Sequence, residues 1–385
     1  MKRVVLARCE DYQQQKVEKA VGKIFEHLEG INQLVGPGTK VLLKPNVLAP
    51  RTPDKAVTTH PEVVKAVAVF LLAKGAKVMV GDSSGGVIAG RHPTAQSLKV
   101  SGIEGLGKEL GIEVINFDTV GTSKVKVGGK FLAEVEVARP VLECDLFINL
   151  PKFKTHSATL ITGAVKNLYG IIPGTRKAYY HRKAANPQDF AELLVDLQER
   201  FPPDLNIVDA VVAMEGNGPA NGKPYPLGFL VAGREAARVD ALCCLLVGLK
   251  PGRVRHLKAC LKRGLVEDLE NLEIVGDLVP LPAVADFKLP NNMWFEMQPA
   301  GVVRWFLARL EFVPVIDKEK CSSCAVCVES CPTGSMSMDQ EGKVLIARDN
   351  CIECMCCQEM CPRGAIEILP VSLVGKLAKK FLGDE

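Results

Sequence analysis

The chain contains 385 residues, of which 47% are hydrophobic and 24% charged, and its formal net charge is +4. These fractions lie near the averages of globular proteins and exclude a mainly disordered, collagen-like or coiled-coil chain. The length suits about two or three domains, each large enough to bury a core without disulfide bonds. The 14 cysteines therefore need another explanation.

The start of the chain, MKRVVLARC, has only a short apolar run before Arg8. It therefore predicts neither an export signal nor a lipid-modified Cys9. No uncharged apolar stretch reaches about 18 residues, so we predict no transmembrane segment. These features indicate a cytoplasmic protein, and in a reducing cytosol densely spaced cysteines usually bind metal.

Predicted strands and helices alternate through the first 290 residues. An amphipathic helix follows the first strand, because apolar residues recur at helical spacing from Val17 to Leu28. Gly128 and Gly129 separate two short alternating runs and predict a β-hairpin. Alternation of this kind predicts an α/β domain over residues 1–290, with a mainly parallel sheet and helices on both faces.

Two further segments flank a second, smaller domain. Residues 291–313 contain several prolines and both tryptophans, Trp294 and Trp305, and we interpret them as an aromatic linker that packs at the domain interface. Residues 370–385 are predicted to form a C-terminal helix or tail with three lysines on its solvated face.

Nine cysteines crowd into residues 321–361, and eight of them form two copies of the spacing C-x2-C-x2-C-x3-C-P. In this pattern three cysteines hold one [4Fe-4S] cluster, and the fourth binds the other cluster. A zinc site would need only four ligands and no doubled triplets. Residues 314–369 resemble the bacterial two-cluster ferredoxin domain, a small α+β fold. We therefore predict one cluster on Cys321, Cys324, Cys327 and Cys361, and another on Cys351, Cys354, Cys357 and Cys331.

The remaining cysteines have no role in this pattern. Cys356 adjoins a predicted ligand but is out of register, so we interpret it as a bystander close to a cluster. Cys243 and Cys244 lie on a predicted buried helix and are interpreted as core residues.

Charge is unevenly distributed along the chain. Residues 315–385 contain eight basic and eleven acidic residues, whereas residues 151–183 contain seven basic residues and no acidic ones. The basic segment also holds His156 and His181, and it begins where a predicted strand ends at Leu150. Ligands of parallel α/β sheets bind outside the carboxyl ends of the strands, so we expect an anion to bind here.

Six sequence blocks stand out in the first 290 residues, namely VLLKPN, TTHP, GDSSGG, NLPKFKTH, TGAVKNLYG and DAVVAMEGNGP. Through these blocks, nearly all of residues 1–290 resemble the domain of unknown function DUF362. The resemblance implies that the blocks form one site. Its candidate residues are Lys44, Asn46, His60, Gly81, Asp82, Ser83, Lys152, Lys154, His156, Lys166, Asn167, Asp209 and Glu215.

We expect Lys152, Lys154 and Lys166 of the basic segment to hold the anion. His156 is the first choice for proton transfer, since the unperturbed pKa of histidine lies closest to neutrality. Asp209 or Glu215 would orient the substrate or bind a metal. The alternatives are ordinary surface lysines, histidines that cap helices, and glycines at 81–86 that only permit a turn.

The leading functional hypothesis is an iron-sulfur oxidoreductase that passes low-potential electrons from its ferredoxin domain to a small carboxylate or phosphate at the rim of the α/β domain. Its expected protein partner is a low-potential electron donor or acceptor. Such chemistry usually needs a flavin or a metal as intermediary, and the sequence shows no binding motif for either. The alternative is an electron carrier or maturation partner whose large domain docks another redox protein. Nucleic-acid binding is disfavoured by the low net charge and the lack of an RNA-binding motif.

Overall fold

The computed structural model of the protein describes residues 2–88, 90–184, 186–290 and 311–371. Most of the predicted linker, including Trp294 and Trp305, and nearly all of the predicted tail lie outside these ranges. Below, residues 2–290 are called the N-terminal part and residues 311–371 the C-terminal part. Within the described ranges, no helix is both long and apolar enough to cross a membrane.

The N-terminal part alternates strands with helices, as predicted. Its strands are β1 (Arg3–Arg8), β2 (Lys40–Pro45), β3 (Lys77–Asp82), β4 (Glu113–Asn116), β5 (Thr122–Lys126), β6 (Glu134–Ala138), β7 (Leu146–Leu150), β8 (Lys152–His156), β9 (Leu160–Thr162), β10 (Leu205–Glu215), β11 (Lys223–Gly233) and β12 (Glu273–Gly276). Its helices are α1 (Gln14–His27), α2 (Glu29–Asn32), α3 (Pro61–Leu72), α4 (Thr94–Val100), α5 (Ile103–Leu110), α6 (Pro140–Glu143), α7 (Ala164–Asn167), α8 (Gly174–Lys183), α9 (Pro187–Arg200), α10 (Ala236–Leu246) and α11 (Arg255–Lys262). Short 3-10 turns cover Pro53–Lys55, Leu168–Ile171 and Pro251–Arg253.

One large sheet organises this part, in the order β12-β1-β11-β10-β7-β2-β3-β4, with β8 and β9 extending from β10. The run from β10 through β7, β2 and β3 to β4 is parallel, which confirms the largely parallel sheet. β11 is antiparallel to both β1 and β10. The sequence gives no strong strand signal there because Pro224 and Pro226 interrupt the segment.

Successive side chains of the strands point to opposite faces of the sheet, where they are buried in two separate hydrophobic cores. Val4 and Leu6 of β1 belong to the core beneath α9, α10 and α11. Val5 and Ala7 point to the opposite core, which α1, α3 and α5 cover. Helices on both faces are therefore confirmed. β5 and β6 form the predicted hairpin as a separate antiparallel pair.

The C-terminal part is a small α+β unit. Its elements are β13 (Glu311–Ile316), α12 (Val326–Glu329), β14 (Met336–Met338), β15 (Val344–Ile346), a 3-10 turn (Arg348–Asn350), α13 (Cys356–Met360) and β16 (Ile366–Val371). β13 pairs with β16 and β14 with β15, both antiparallel.

The two parts touch through specific contacts. Ser330 Oγ donates to the Val87 carbonyl at 3.0 Å and accepts from the Val87 N–H at 3.2 Å. Asn221 Nδ2 donates to the Gln358 carbonyl at 2.8 Å. Met360 also packs in a shared apolar cluster with residues of both parts. These contacts bring α13 against the carboxyl edge of the large sheet.

Candidate functional site

A cavity of about 300 Å³ lies between the two parts. On the N-terminal side, it is bounded by the segments that follow β2 and β3, by β8, and by α7 and α8. On the C-terminal side, Ser330, Pro332, Cys356, Glu359 and Met360 complete its wall. The carboxyl ends of parallel strands commonly carry ligand sites, and here a second unit covers that edge.

Three lysines line the cavity, and their hydrogen bonding differs. Lys154 Nζ donates to Asn46 Oδ1 and to the Val57 carbonyl, both at 2.7 Å, which leaves one of its three N–H groups unused. Lys177 Nζ donates to Ser83 Oγ and to the carbonyls of residues 83 and 84, so all its protons are engaged. Lys177 therefore stabilises the loop after β3, and its ammonium has no N–H left to donate to a group in the cavity.

Lys166 is the exception among the three. Its Nζ lies over the ring of Phe190, 5.9 Å from the ring centre. Within the described part of the chain its ammonium has neither a hydrogen bond nor an ion pair. Burial lowers its pKa from the ordinary lysine value, although Glu359 opposes this effect. A partly buried cation without a partner is unfavourable, so this ammonium remains available to a group that enters the cavity.

The local structure explains why Lys166 occupies this place. It lies on the short helix α7, whose first two backbone N–H groups, those of Ala164 and Val165, donate to the carboxylate of Asp240 at 2.5 and 3.0 Å. Asp240 belongs to α10 and is fully buried. Burial raises its pKa to about 7, although the two backbone hydrogen bonds counteract that shift. Asp240 thus fixes the start of the helix that carries Lys166.

Glu359 brings a carboxylate to the same cavity from α13. Its Oε1 lies 2.9 Å from His156 Nε2. Burial alone would raise its pKa, but His156, Lys166 and His181 lower it to about 2. Burial lowers the pKa of His156 to about 4, with a further contribution from Lys166. At neutral pH this pair is therefore an ionised carboxylate beside a neutral imidazole.

Six of the predicted ligand-site residues line the cavity. They are Asn46, Asp82, Ser83, Lys154, Lys166 and Asn167. Asn167 and Asn46 hydrogen-bond to each other at 3.0 Å, so the ends of β2 and α7 are joined at the cavity wall. The structure brings these sequence-distant blocks together, as the resemblance implies.

The other predicted residues lie outside the cavity lining. Lys152 Nζ pairs with Asp209 Oδ2 at 2.8 Å, and both side chains are fully buried. Tyr12 completes this group, because its hydroxyl donates to Asp209 and accepts from Lys152. This geometry gives Lys152 an internal carboxylate partner, so the expectation that it holds an external anion is corrected. Asp209 likewise pairs with Lys152 and does not line the cavity.

The remaining four candidates also have internal roles. Lys44 Nζ lies 2.7 Å from Asp82 Oδ1 in a buried ion pair. His60 accepts a hydrogen bond from Glu62 N at the start of α3, which matches the helix-capping alternative. Glu215 accepts from the Lys288 N–H at 2.8 Å. A Cβ on Gly81 would lie 2.3 Å from the Phe117 ring, so this glycine permits close packing.

Several cavity residues were not among the predicted site residues. His92, Tyr169, Lys177 and His181 come from the N-terminal part, and Cys356 and Glu359 from the C-terminal part. Lys177 and His181 belong to the basic segment, which is the only sequence signal that could have identified them. Cys356 is thus more than a neighbour of the predicted ligands, because its side chain forms part of the cavity wall.

The eight patterned cysteines form two quartets, each around a small cavity. Cys321, Cys324, Cys327 and Cys361 line one cavity. Cys331, Cys351, Cys354 and Cys357 line the other. Each quartet therefore combines three cysteines of one copy of the motif with the last cysteine of the other copy. Among the described residues, no three His, Cys, Asp or Glu side chains are arranged to hold a single metal ion.

The backbone repeats as regularly as the cysteines. Ser323 and Ala325 adopt positive φ angles of 53° and 59°, and Glu353 and Met355, at the equivalent positions of the second copy, adopt 51° and 63°. Positive φ is uncommon for residues other than glycine and concentrates at functional sites. The chain therefore wraps around each cavity in the same strained way, which fits a bound group at its centre.

Comparisons with known proteins agree with this division. The family model described as "Domain of unknown function (DUF362)" matches residues 41–245, and the model described as "4Fe-4S dicluster domain" matches residues 299–365. "Thylakoid-associated protein sll1697" of Synechocystis sp. is 32% identical over 309 residues, which cover 76% of this chain and 92% of that protein. A solved structure of the lactate racemase apoprotein from Thermoanaerobacterium thermosaccharolyticum matches with 13% identity and a TM-score of 0.38, covering 61% of this chain and 55% of that one. The chain therefore belongs to the DUF362 family, and its C-terminal part is a 4Fe-4S domain of the ferredoxin type.

Proposed function

We propose that the protein is an iron-sulfur oxidoreductase in which the cavity between the two parts binds a small anionic substrate. The observation that carries this proposal is the shared wall of the cavity. Lys154 and Lys166 supply positive charge from one side, and Cys356 and Glu359 supply the other side from the segment between cluster cysteines. Electron transfer to a bound molecule needs such proximity.

The two cysteine quartets support a [4Fe-4S] cluster in each of the small cavities. Each quartet offers four thiolates around an enclosed space, which suits a cluster better than a single ion. Bound there, the clusters would supply one-electron chemistry, and a low-potential redox protein would be their external partner. Anaerobic reconstitution should therefore give about eight iron atoms per chain.

The substrate is proposed to carry a carboxylate or a phosphate. The unpaired ammonium of Lys166 and the unused N–H of Lys154 offer donors to such a group. Leu48, Val87 and Met360 add apolar surface to the same cavity. A small organic anion with an apolar body fits this combination better than an inorganic ion.

The decisive experiment is electron paramagnetic resonance on the reduced, reconstituted protein with and without butyrate or inorganic phosphate. An anion in the cavity would lie beside Cys356 and Glu359, so we expect it to change the spectrum of the cluster signal. The same addition should leave the spectrum of the Lys166→Met variant unchanged, whereas Lys183→Met, an exposed lysine of α8, should behave as wild type. Binding without any spectral change would contradict the oxidoreductase and favour an electron carrier that docks another protein.

A further inference from the structure

The cavity presents two opposite charges that do not pair with each other. The side chains of Lys166 and Glu359 both belong to residues that line it. Nevertheless, they do not come within ion-pair distance of 4.0 Å. Both residues belong to the described part of the chain and line the same cavity.

Only one of the two carboxylate oxygens of Glu359 has a protein partner within the described residues. Its Oε1 lies 2.9 Å from His156 Nε2. His156 Nδ1 accepts from the backbone N–H of Ala158 at 3.0 Å, which leaves Nε2, at 2.9 Å from the carboxylate, to carry the ring proton. Within the described residues, Oε2 has no hydrogen-bond donor. This carboxylate therefore retains the capacity to accept a hydrogen bond from a ligand.

A ligand with an anionic group alone would satisfy only one of these two groups. It would pair with Lys166 but would offer no hydrogen-bond donor to the carboxyl group of Glu359. A ligand that also carries a hydroxyl or an amine could donate to Glu359 while its anionic group binds Lys166. Both unsatisfied groups would then gain a partner, which matters because unsatisfied buried polar groups are unfavourable.

We infer that the substrate is bifunctional, with a carboxylate or phosphate at Lys166 and a hydroxyl or amine hydrogen-bonded to Glu359. This inference rests on the proposed function, since it concerns the ligand of the same cavity. Glu359 acts in it as a specificity-determining residue supplied by the C-terminal part. His156 acts behind it as a positioning residue.

The test compares the binding of butyrate with that of its hydroxy and amino derivatives, substituted at each successive carbon. Calorimetry on the reconstituted wild-type protein should show at least one derivative binding about tenfold more tightly than butyrate, because a hydrogen bond to a charged group has that effect. Glu359→Met should remove this preference and bind butyrate at least as well as wild type does. Glu367→Met, an exposed glutamate on β16, is the matched control.

The outcomes separate the two proposals. Equal binding of butyrate and all its derivatives to the wild-type protein would overturn the bifunctional ligand but leave the anion site intact. Absence of binding by every probe would overturn the anion site itself. Iron content and visible absorption must match between variants, and if Glu359→Met loses iron, Glu359→Gln replaces it. Retention of the full preference for an amino derivative in that neutral variant would also overturn the inference.

Discussion

Glu359 Oε1 lies 2.9 Å from His156 Nε2, and this contact joins α13 of the C-terminal part to the end of β8. It places the histidine that the sequence indicates for proton transfer behind a carboxylate rather than at the cavity surface. Glu359 therefore lines the cavity, while His156 contacts its carboxylate from behind.

The first prediction concerns the stability of the protein when Lys166 is replaced. Lys166→Met removes a cation that has no partner and keeps a side chain of similar length, so the free energy of unfolding should rise by roughly 1–2 kcal/mol. The same variant should lose the increase in melting temperature that butyrate gives the wild type. Thermal and denaturant unfolding under anaerobic conditions measure both effects. A destabilised variant that still responds to butyrate would contradict our assignment of Lys166.

The second prediction concerns the pH dependence of anion binding. Burial lowers the pKa of Lys154 well below the ordinary lysine value, and it also lowers that of Lys166. Both ammonium groups therefore lose their protons at a lower pH than exposed lysines do. Anion affinity should be greatest at acidic to neutral pH and should fall as pH rises through these lowered pKa values, well before pH 10.5. Calorimetry across this range tests it, and constant affinity up to the ordinary lysine pKa would contradict it.

The third prediction separates Lys152 from the cavity lysines. Lys152→Met leaves Asp209 buried without its cation, so the free energy of unfolding should fall by about 3–5 kcal/mol. Butyrate affinity of the folded variant should stay at the wild-type value, because Lys152 does not line the cavity. Lys108→Met, which breaks an exposed pair with Glu104, should change stability by less than about 1 kcal/mol. A specific loss of butyrate binding in Lys152→Met would restore the anion-binding role that the sequence suggested.

The fourth prediction concerns acid stability and His256. In the described structure, both ring nitrogens of this buried histidine lack hydrogen-bond partners. Burial lowers its pKa to about 3, with smaller contributions from the positive charges of Lys166 and His156. In the unfolded chain it titrates near 6.5, so the unfolded state binds more protons between these values. Stability should therefore decrease as pH falls below about 6.5, and His256→Leu should weaken that decrease. Denaturant unfolding at pH 7 and pH 5 compares the two proteins, and identical pH dependence would contradict this account.

The sequence predicted the architecture well because its signals are local. Apolar periodicity locates the alternating strands and helices, and Gly128 marks the β5–β6 hairpin. β11 was not predicted, since two prolines obscure it and its pairing with β1 depends on residues more than 200 positions away. Its position in the sheet is a tertiary property that no local pattern encodes.

The candidate site was predicted only in part. Lys152 and Lys154 alternate on β8, and spacing alone suggests that they share one role. The register between β8 and β10 shifts between Asp209 and Met214, so the two lysines meet different partners. Glu359 could not have been identified, because it lies about 200 residues from His156 and reaches the site only when the two parts pack together.

Gly86, in the loop after β3, packs closely against the C-terminal part. A Cβ on Gly86 would lie 2.6 Å from the Met360 side chain, and φ at this glycine is +66°. Met360 immediately precedes Cys361, which lines one of the cysteine quartets. A bulkier residue at Gly86 would therefore displace Met360, next to a cysteine of one quartet. We therefore expect a substitution at Gly86 to alter the visible absorption of the proposed iron-sulfur clusters.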